Sequence, residues 1–119
     1  MSPITTLSHA ILLAIADEDR HGYAILKEVE RQSEGRLRPG TGTLYAALQR
    51  LGEGGLIVEA PESAEPGGDA RRRYYRLTAE GRMVAQEETR RLARLVQVAG
   101  EKNLVAGLRL IGLGELAEE

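Results

Sequence analysis

The 119-residue sequence predicts a mainly α fold carrying one small β-hairpin. Three observations lead there. Apolar residues recur at helical spacing in several separate segments. A short β-like run, LIVEA (56–60), is followed by a Pro/Gly-rich loop (61–70) and a second β-like run, RRRYYRL (71–77). The resulting order is helix, helix, helix, strand, flexible loop, strand, long helix, the order of a winged helix-turn-helix with further helices at both ends.

The first helix lies within ITTLSHAILLAIA (4–16). Ile4, Leu7, Ile11 and Ile15 form one stripe, and Leu12, Leu13, Ala10, Ala14 and Ala16 fill much of the remaining circumference. A helix apolar nearly all round is buried on more than one side. In so small a domain one side meets the protein's own core and the other calls for a partner chain. The acidic run Asp17–Asp19 ends the element as a solvated turn.

A second helix runs from about His21 to Ser33. Ala24, Ile25, Leu26 and Val29 form its apolar side, and His21 caps its start. Gly35 falls just past its end, where a left-handed residue terminates a helix. Leu37 anchors the loop that follows. The third helix is PGTGTLYAALQRLGEGGLI (39–57), capped by Thr41 or Thr43 and stopped at Gly52, Gly54 and Gly55. Leu44, Leu48 and Leu51 make its inner stripe. Its outer face carries Thr43, Tyr45, Ala46, Gln49 and Arg50, with no carboxylate among them. Short hydroxyls, an amide, a phenol and a guanidinium suit base edges and phosphates.

In the hairpin, Tyr75 and Leu77 share one face, with Tyr74 and Arg76 on the other. Thr78 then caps a long helix from about Ala79 to Ala99, with Glu80 in the first turn, where an acid suits the helix dipole. Its apolar stripe is sparse for its length, and Gly100 interrupts it. The tail shows Leu104, Leu108 and Ile111 at helical spacing, a short amphipathic helix to about Ile111. No internal repeat is visible.

Composition narrows the function. There is no cysteine, which excludes disulfides, thiolate metal sites and a cysteine nucleophile. There is no Phe or Trp, and all four tyrosines lie between positions 23 and 75, so the core is aliphatic. No apolar run is long enough for a membrane span, and the N-terminus lacks the basic region of a signal peptide. A cytoplasmic location is expected. The net charge of −2 argues against coating nucleic acid by bulk charge but permits a local basic stripe. Arg71, Arg72 and Arg73 beside the loop supply one, a phosphate clamp of planar, doubly donating guanidiniums. Arg36 and Arg38 either add backbone contacts or serve solubility.

The two histidines, His9 and His21, have no metal-ligand spacing, and the four serines fall in no nucleophile-elbow pattern. The glycines of PGTGT are followed by no G-K-[ST], so they make no phosphate loop. Neither catalysis, a metal nor a cofactor is expected. Two readings remain. One is double-stranded DNA recognition by the third helix and the wing. The other is a winged-helix protein-interaction module that does not read DNA, against which the polar third helix and the arginines speak.

In combination and in this order, HGYAILKEVE, PGTGTLYAALQRL, GLI and RRRYYRLTAEG resemble the PadR family of bacterial transcriptional regulators, over roughly residues 7 to 90. The resemblance implies a homodimer that binds a palindromic operator, usually as a repressor, and that pairs through its first helix and its C-terminal helices. That accounts for the over-apolar first helix and the sparse stripe of the long one. It places Thr43, Tyr45 and Gln49 on the recognition helix and Arg72, Arg73 and Tyr74 on the wing. Tyr23 and Tyr75 then pack or orient rather than read bases. The candidate DNA-binding set is Thr41, Thr43, Tyr45, Gln49, Arg50, Arg71, Arg72, Arg73 and Tyr74. Residues 1–77 form the DNA-binding domain and 78–119 the helical dimerisation region. The short C-terminal part is that of a compact member. Some compact members bind flat aromatic drugs between tryptophans, which this chain lacks, so a small-molecule effector has no assigned class.

Overall fold

A computed structural model describes residues 4–105. Four helices, α1 (Thr6–Ala14), α2 (Gly22–Gln32), α3 (Thr41–Glu53) and α4 (Ala79–Glu101), accompany strands β1 (Arg20–His21), β2 (Ile57–Glu59) and β3 (Tyr74–Leu77). The predicted winged helix-turn-helix is present. The chain separates into two compact units, with the division between Ala85 and Gln86, inside α4.

The first unit is built on aliphatic packing. Ile11, Leu12, Ala14 and Ile15 of the α1 segment meet Ile25 and Val29 of α2, Leu44, Ala47, Leu48 and Leu51 of α3, Ile57 of β2 and Ala85 of α4. Leu37, Tyr75 and Leu77 pack against this cluster, as the loop anchor and strand alternation predict. Tyr75 is the one aromatic ring at its edge. Truncating a fully enclosed leucine such as Leu44 removes about 2–5 kcal/mol, so the inner stripe of α3 fixes that helix firmly to the body.

The termini show how the sequence sets these helices. Thr5 Oγ1 accepts the Ser8 amide at 3.0 Å at the start of α1. Thr78 Oγ1 accepts the Gly81 amide at 2.9 Å and donates to the Gly55 carbonyl at 2.7 Å, joining the start of α4 to the end of α3. His21 Nδ1 accepts the Ala24 amide at 3.2 Å and caps α2. At α3 the cap differs from expectation. Gly40, extended at φ −69° and ψ 160°, is the N-cap, and neither Thr41 nor Thr43 caps by a side chain. Both threonines lie inside the helix, and the Gly40 carbonyl accepts the Leu44 amide at 2.9 Å.

Three helices stop in the same way. After α2 the Glu34 amide bonds the Arg31 carbonyl and the Gly35 amide bonds Glu30. After α3, Gly55 bonds Gly52 and Leu56 bonds Leu51; after α4, Asn103 bonds Gly100 and Leu104 bonds Ala99. This is the pair of bonds that a left-handed residue just past the helix makes possible. Gly55 fills that place after α3 at φ +76°. After α2 two successive residues are left-handed, Glu34 at φ 53° and then the expected Gly35 at φ 80°, so the glycine sits one position beyond the residue that closes the helix. Gly100 does not end α4, which runs through it to Glu101. Leu104 and Val105 are not helical, and the rest of the predicted tail helix lies outside the described residues.

The hairpin is also different in detail. β3 is the centre of a three-stranded antiparallel sheet in the order β1-β3-β2. β1 pairs Arg20 with Tyr75 and His21 with Tyr74, and β2 pairs Ile57 with Leu77 and Glu59 with Tyr75. The extra strand escapes pattern reading because it has only two residues, RH. The acidic turn before it is not wholly solvated. Asp19 accepts from Arg76 Nη2 at 2.8 Å and from Ser63 Oγ, tying the first loop to the wing. The Arg76 guanidinium, then the Ser63 hydroxyl, hold its carboxyl below the usual carboxylate value. Arg20 closes α1 by donating from Nε to the Ala14 carbonyl at 2.7 Å.

Candidate nucleic-acid interface

The interface is built from the face of α3 that its packing leaves open. With Leu44, Ala47, Leu48 and Leu51 turned inward, Thr41, Thr43, Tyr45, Ala46, Gln49 and Arg50 are all exposed. No side chain occupies the amides at the α3 start. A helix N-terminus left open in this way favours an anion.

Tyr45 is held in place by a neighbour. A Cβ added to the buried Gly22 would lie 2.7 Å from Tyr45 Cζ and 2.9 Å from Cε1. The ring therefore rests on the first residue of α2, and only a glycine leaves room for it. This is the physical content of the glycine in HGY, and the sequence gives no sign of it because the two residues are far apart in the chain.

The wing arginines sit outside the strand. Arg71 lies in the turn, and Arg72 and Arg73 lead into β3, so they are not forced to alternate sides as strand residues are. They also differ electrostatically. Arg71 is folded onto Asp69, with Nε 3.2 Å from Oδ1, and Arg73 Nη1 lies 3.4 Å from Glu59 Oε1. The hydrogen bonds from Arg71, its backbone amide first, lower the Asp69 carboxyl's affinity for protons. Arg72 and Arg50 make no ion pair among the described residues. Arg38 donates from Nε to the Gly35 carbonyl at 3.0 Å, and Arg36 is exposed.

Helix and wing enclose a shared cleft of about 460 Å³, open to solvent. Tyr45, Gln49 and Glu53 of α3 face Val58, Glu59, Arg73 and Tyr75 across it. Tyr74 points away, half-buried, edge-on to the His21 imidazole with ring centres 5.3 Å apart. Burial, then the positive charge of Arg72, keep His21 below its ordinary pKa, with Glu65 opposing. Of the nine candidate residues, Tyr45, Gln49 and Arg73 meet at this cleft. Arg71, Arg72 and Tyr74 instead line a second hollow of about 250 Å³ within the wing. Among the described residues, no group of three or more His, Cys, Asp or Glu side chains is placed to hold a metal ion.

Tyr75 packs against the core as expected, whereas Tyr23 does not pack: it is 54 % exposed.

A helix seated by leucines with an open polar face, flanked by an arginine-bearing hairpin, defines a winged helix-turn-helix protein of the nucleic-acid-reading type. The chain belongs to the transcriptional regulator PadR-like family, whose pattern it matches over residues 11–87. It is 30 % identical to protein X of Lysinibacillus sphaericus over 92 residues, covering 77 % of this chain and 83 % of that one. Among solved structures it is similar to a PadR family transcription regulator of Clostridium difficile, with 26 % identity, a TM-score of 0.65, and coverage of 82 % of this chain and 97 % of that one. The fold also matches Bacillus subtilis PadR in complex with operator DNA, with 21 % identity and a TM-score of 0.61, over 73 % of this chain and 48 % of that one.

Proposed function

We propose that this regulator works in the cytoplasm as a homodimeric repressor that reads a palindromic operator with two copies of α3. One observation supports this above the others: the exposed face of α3 presents Thr43, Tyr45, Gln49 and Arg50 beside Arg73, while its leucines are enclosed. Thr43, Tyr45, Gln49 and Arg50 meet base edges in the major groove. Thr41, Arg71, Arg72, Arg73 and Tyr74 take phosphates. Base contacts supply specificity and phosphate contacts supply most of the affinity. Bacillus subtilis PadR, a fold relative, has been seen on operator DNA, which favours the same use here. No enzymatic step is part of this reading.

Residues 1–77 carry the DNA-binding part and residues 78–119 the pairing part. Pairing uses apolar side chains left open on the flanking helices, Leu13 on α1 and Met83, Leu92 and Leu95 on α4. Two-fold symmetry then sets the recognition helices about 34 Å apart, one turn of DNA.

The test is a mobility shift of the promoter fragment upstream of the protein's own operon at low salt. A retarded band that survives competitor DNA is expected, and Arg73→Ala should weaken specific and scrambled duplexes alike while Gln49→Ala changes preference between sequences. No shift at low salt would overturn the reading.

A further inference from the structure

We propose that Tyr23 and Lys27 on α2 together hold a DNA phosphate next to the recognition helix, and so fix the register in which α3 enters the groove. The inference rests on the DNA-reading function proposed above and adds two residues to it.

The placement comes from Gly22. Because the Tyr45 ring lies against it, the first turn of α2 adjoins the outer, DNA-facing side of α3 rather than its leucine side. Tyr23 is the next residue and turns outward. More than half of its surface is open, and its hydroxyl has no hydrogen-bond partner among the described residues. A ring this exposed adds nothing to the core, which Ile25 and Val29 of the same helix already serve. Lys27 is one helical turn further on the same face. Its ammonium sits 5.3 Å from the centre of the Tyr23 ring, so the cation steadies the ring by a cation–π contact. The pair therefore presents a phenolic donor and a positive charge side by side, the two groups that one phosphate accepts. Glu30 Oε2 lies 3.8 Å from Lys27 Nζ. At that distance and exposure the pair is weak and yields readily to a phosphate.

In a helix-turn-helix the first helix crosses the DNA backbone while the second enters the major groove. A contact from α2 is then a contact to the strand that borders the groove α3 is reading. It carries no sequence information of its own and sets position.

The chain makes the test direct, because Lys27 and Lys102 are its only lysines. Acetylation of the full-length wild-type protein is followed at each lysine by mass spectrometry, with and without saturating operator duplex, at salt where a band shift shows the complex formed. The expected result is a several-fold slower reaction at Lys27 and an unchanged rate at Lys102. In parallel, Lys27→Gln should lower the slope of log affinity against log salt by about 0.9 per protomer. Tyr23→Phe should weaken specific and scrambled duplexes equally, by about tenfold or more, as expected for a lost hydrogen bond to a charged group. Both side chains are exposed, so thermal melting should be unchanged.

If the duplex binds, yet Lys27 reacts equally fast in the complex and its variant keeps the wild-type salt slope, the α2 contact is wrong and the DNA-reading function stands. If the wild-type protein shifts no duplex, both fall. A Tyr23→Phe effect confined to one sequence would overturn the positioning role and make Tyr23 a base reader.

Discussion

The unequal pairing of the wing arginines makes a quantitative prediction. Arg72 is the member of the run that makes no ion pair among the described residues, whereas Arg71 is folded onto Asp69 and Arg73 onto Glu59. A guanidinium already neutralised by a neighbour releases fewer counterions when it meets a phosphate. Each full phosphate contact contributes about 0.9 to the slope of log affinity against log salt, so losing Arg72 from both protomers of a dimer lowers the slope by about 1.8. Between 50 and 200 mM salt, a fourfold change, that slope difference amounts to roughly a twelvefold difference in affinity loss. The wild-type complex should therefore weaken about twelve times more over this range than the Arg72→Ala complex. Arg71→Ala should move the slope by less, because its guanidinium meets both Asp69 carboxylate oxygens where Lys27 has a single longer contact with Glu30. Fluorescence anisotropy titrations of a labelled operator duplex across that salt range measure both. An Arg72→Ala slope equal to wild type, or an Arg71→Ala loss matching it, would refute the assignment of Arg72 as the principal wing contact.

Three further outcomes follow from the packing and the caps. Gly22→Ala puts a methyl group where the Tyr45 ring lies; the exposed ring swings aside, so melting should shift little while specific binding falls more than nonspecific binding. Gly81→Ala sets helix propensity against sterics: alanine gains about 1 kcal/mol in a helix, but its Cβ would lie 2.9 Å from the Leu56 carbonyl carbon and from Leu77 Cδ1, so calorimetry should show net destabilisation rather than a gain. For His21 the folded-state pKa lies below 6.5, so the unfolded chain takes up the proton first. Stability contributed by the neutral cap is complete above pH 6.5 and declines as pH falls from there towards the folded-state pKa. His21→Asn keeps a capping side chain and should flatten that part of the pH dependence in urea melts; an unchanged profile would show that His21 does not titrate on unfolding.

Much of this fold is legible in the sequence because its elements obey local rules. The leucines of α3 recur at 44, 48 and 51, and all three are enclosed. Thr78 lies three residues before Gly81 and caps its amide. What was not legible depends on residues distant in the chain. β1 is a strand only because Tyr74 and Tyr75 reach it across more than fifty positions; two residues carry no periodicity of their own. The α3 cap fell one residue before the threonines because a glycine N-cap costs only a few tenths of a kcal/mol relative to Ser, Thr, Asp or Asn, leaving a preference too small to place it. Glu34 is left-handed as well as Gly35, held there by the bonds from the Glu34 amide to the Arg31 carbonyl and from the Gly35 amide to the Glu30 carbonyl.

The candidate interface divides in the same way. That Thr43, Tyr45, Gln49 and Arg50 share a face is a consequence of the helical repeat, and the sequence alone gives it. Which of three consecutive arginines has a free charge is not a property of the run. It is decided by Asp69, two residues before Arg71, and by Glu59, on the opposite strand. The run is one basic cluster in the sequence, while in the fold two of its members pair with carboxylates and Arg72 makes no ion pair among the described residues. The same holds for Tyr23: its residue type suggests packing, and only the fold shows that more than half of its surface stays open. Specificity and affinity in this protein therefore have different origins. The face that discriminates is written in one helix, while the charges that bind are set by pairs that form only when the wing closes on itself.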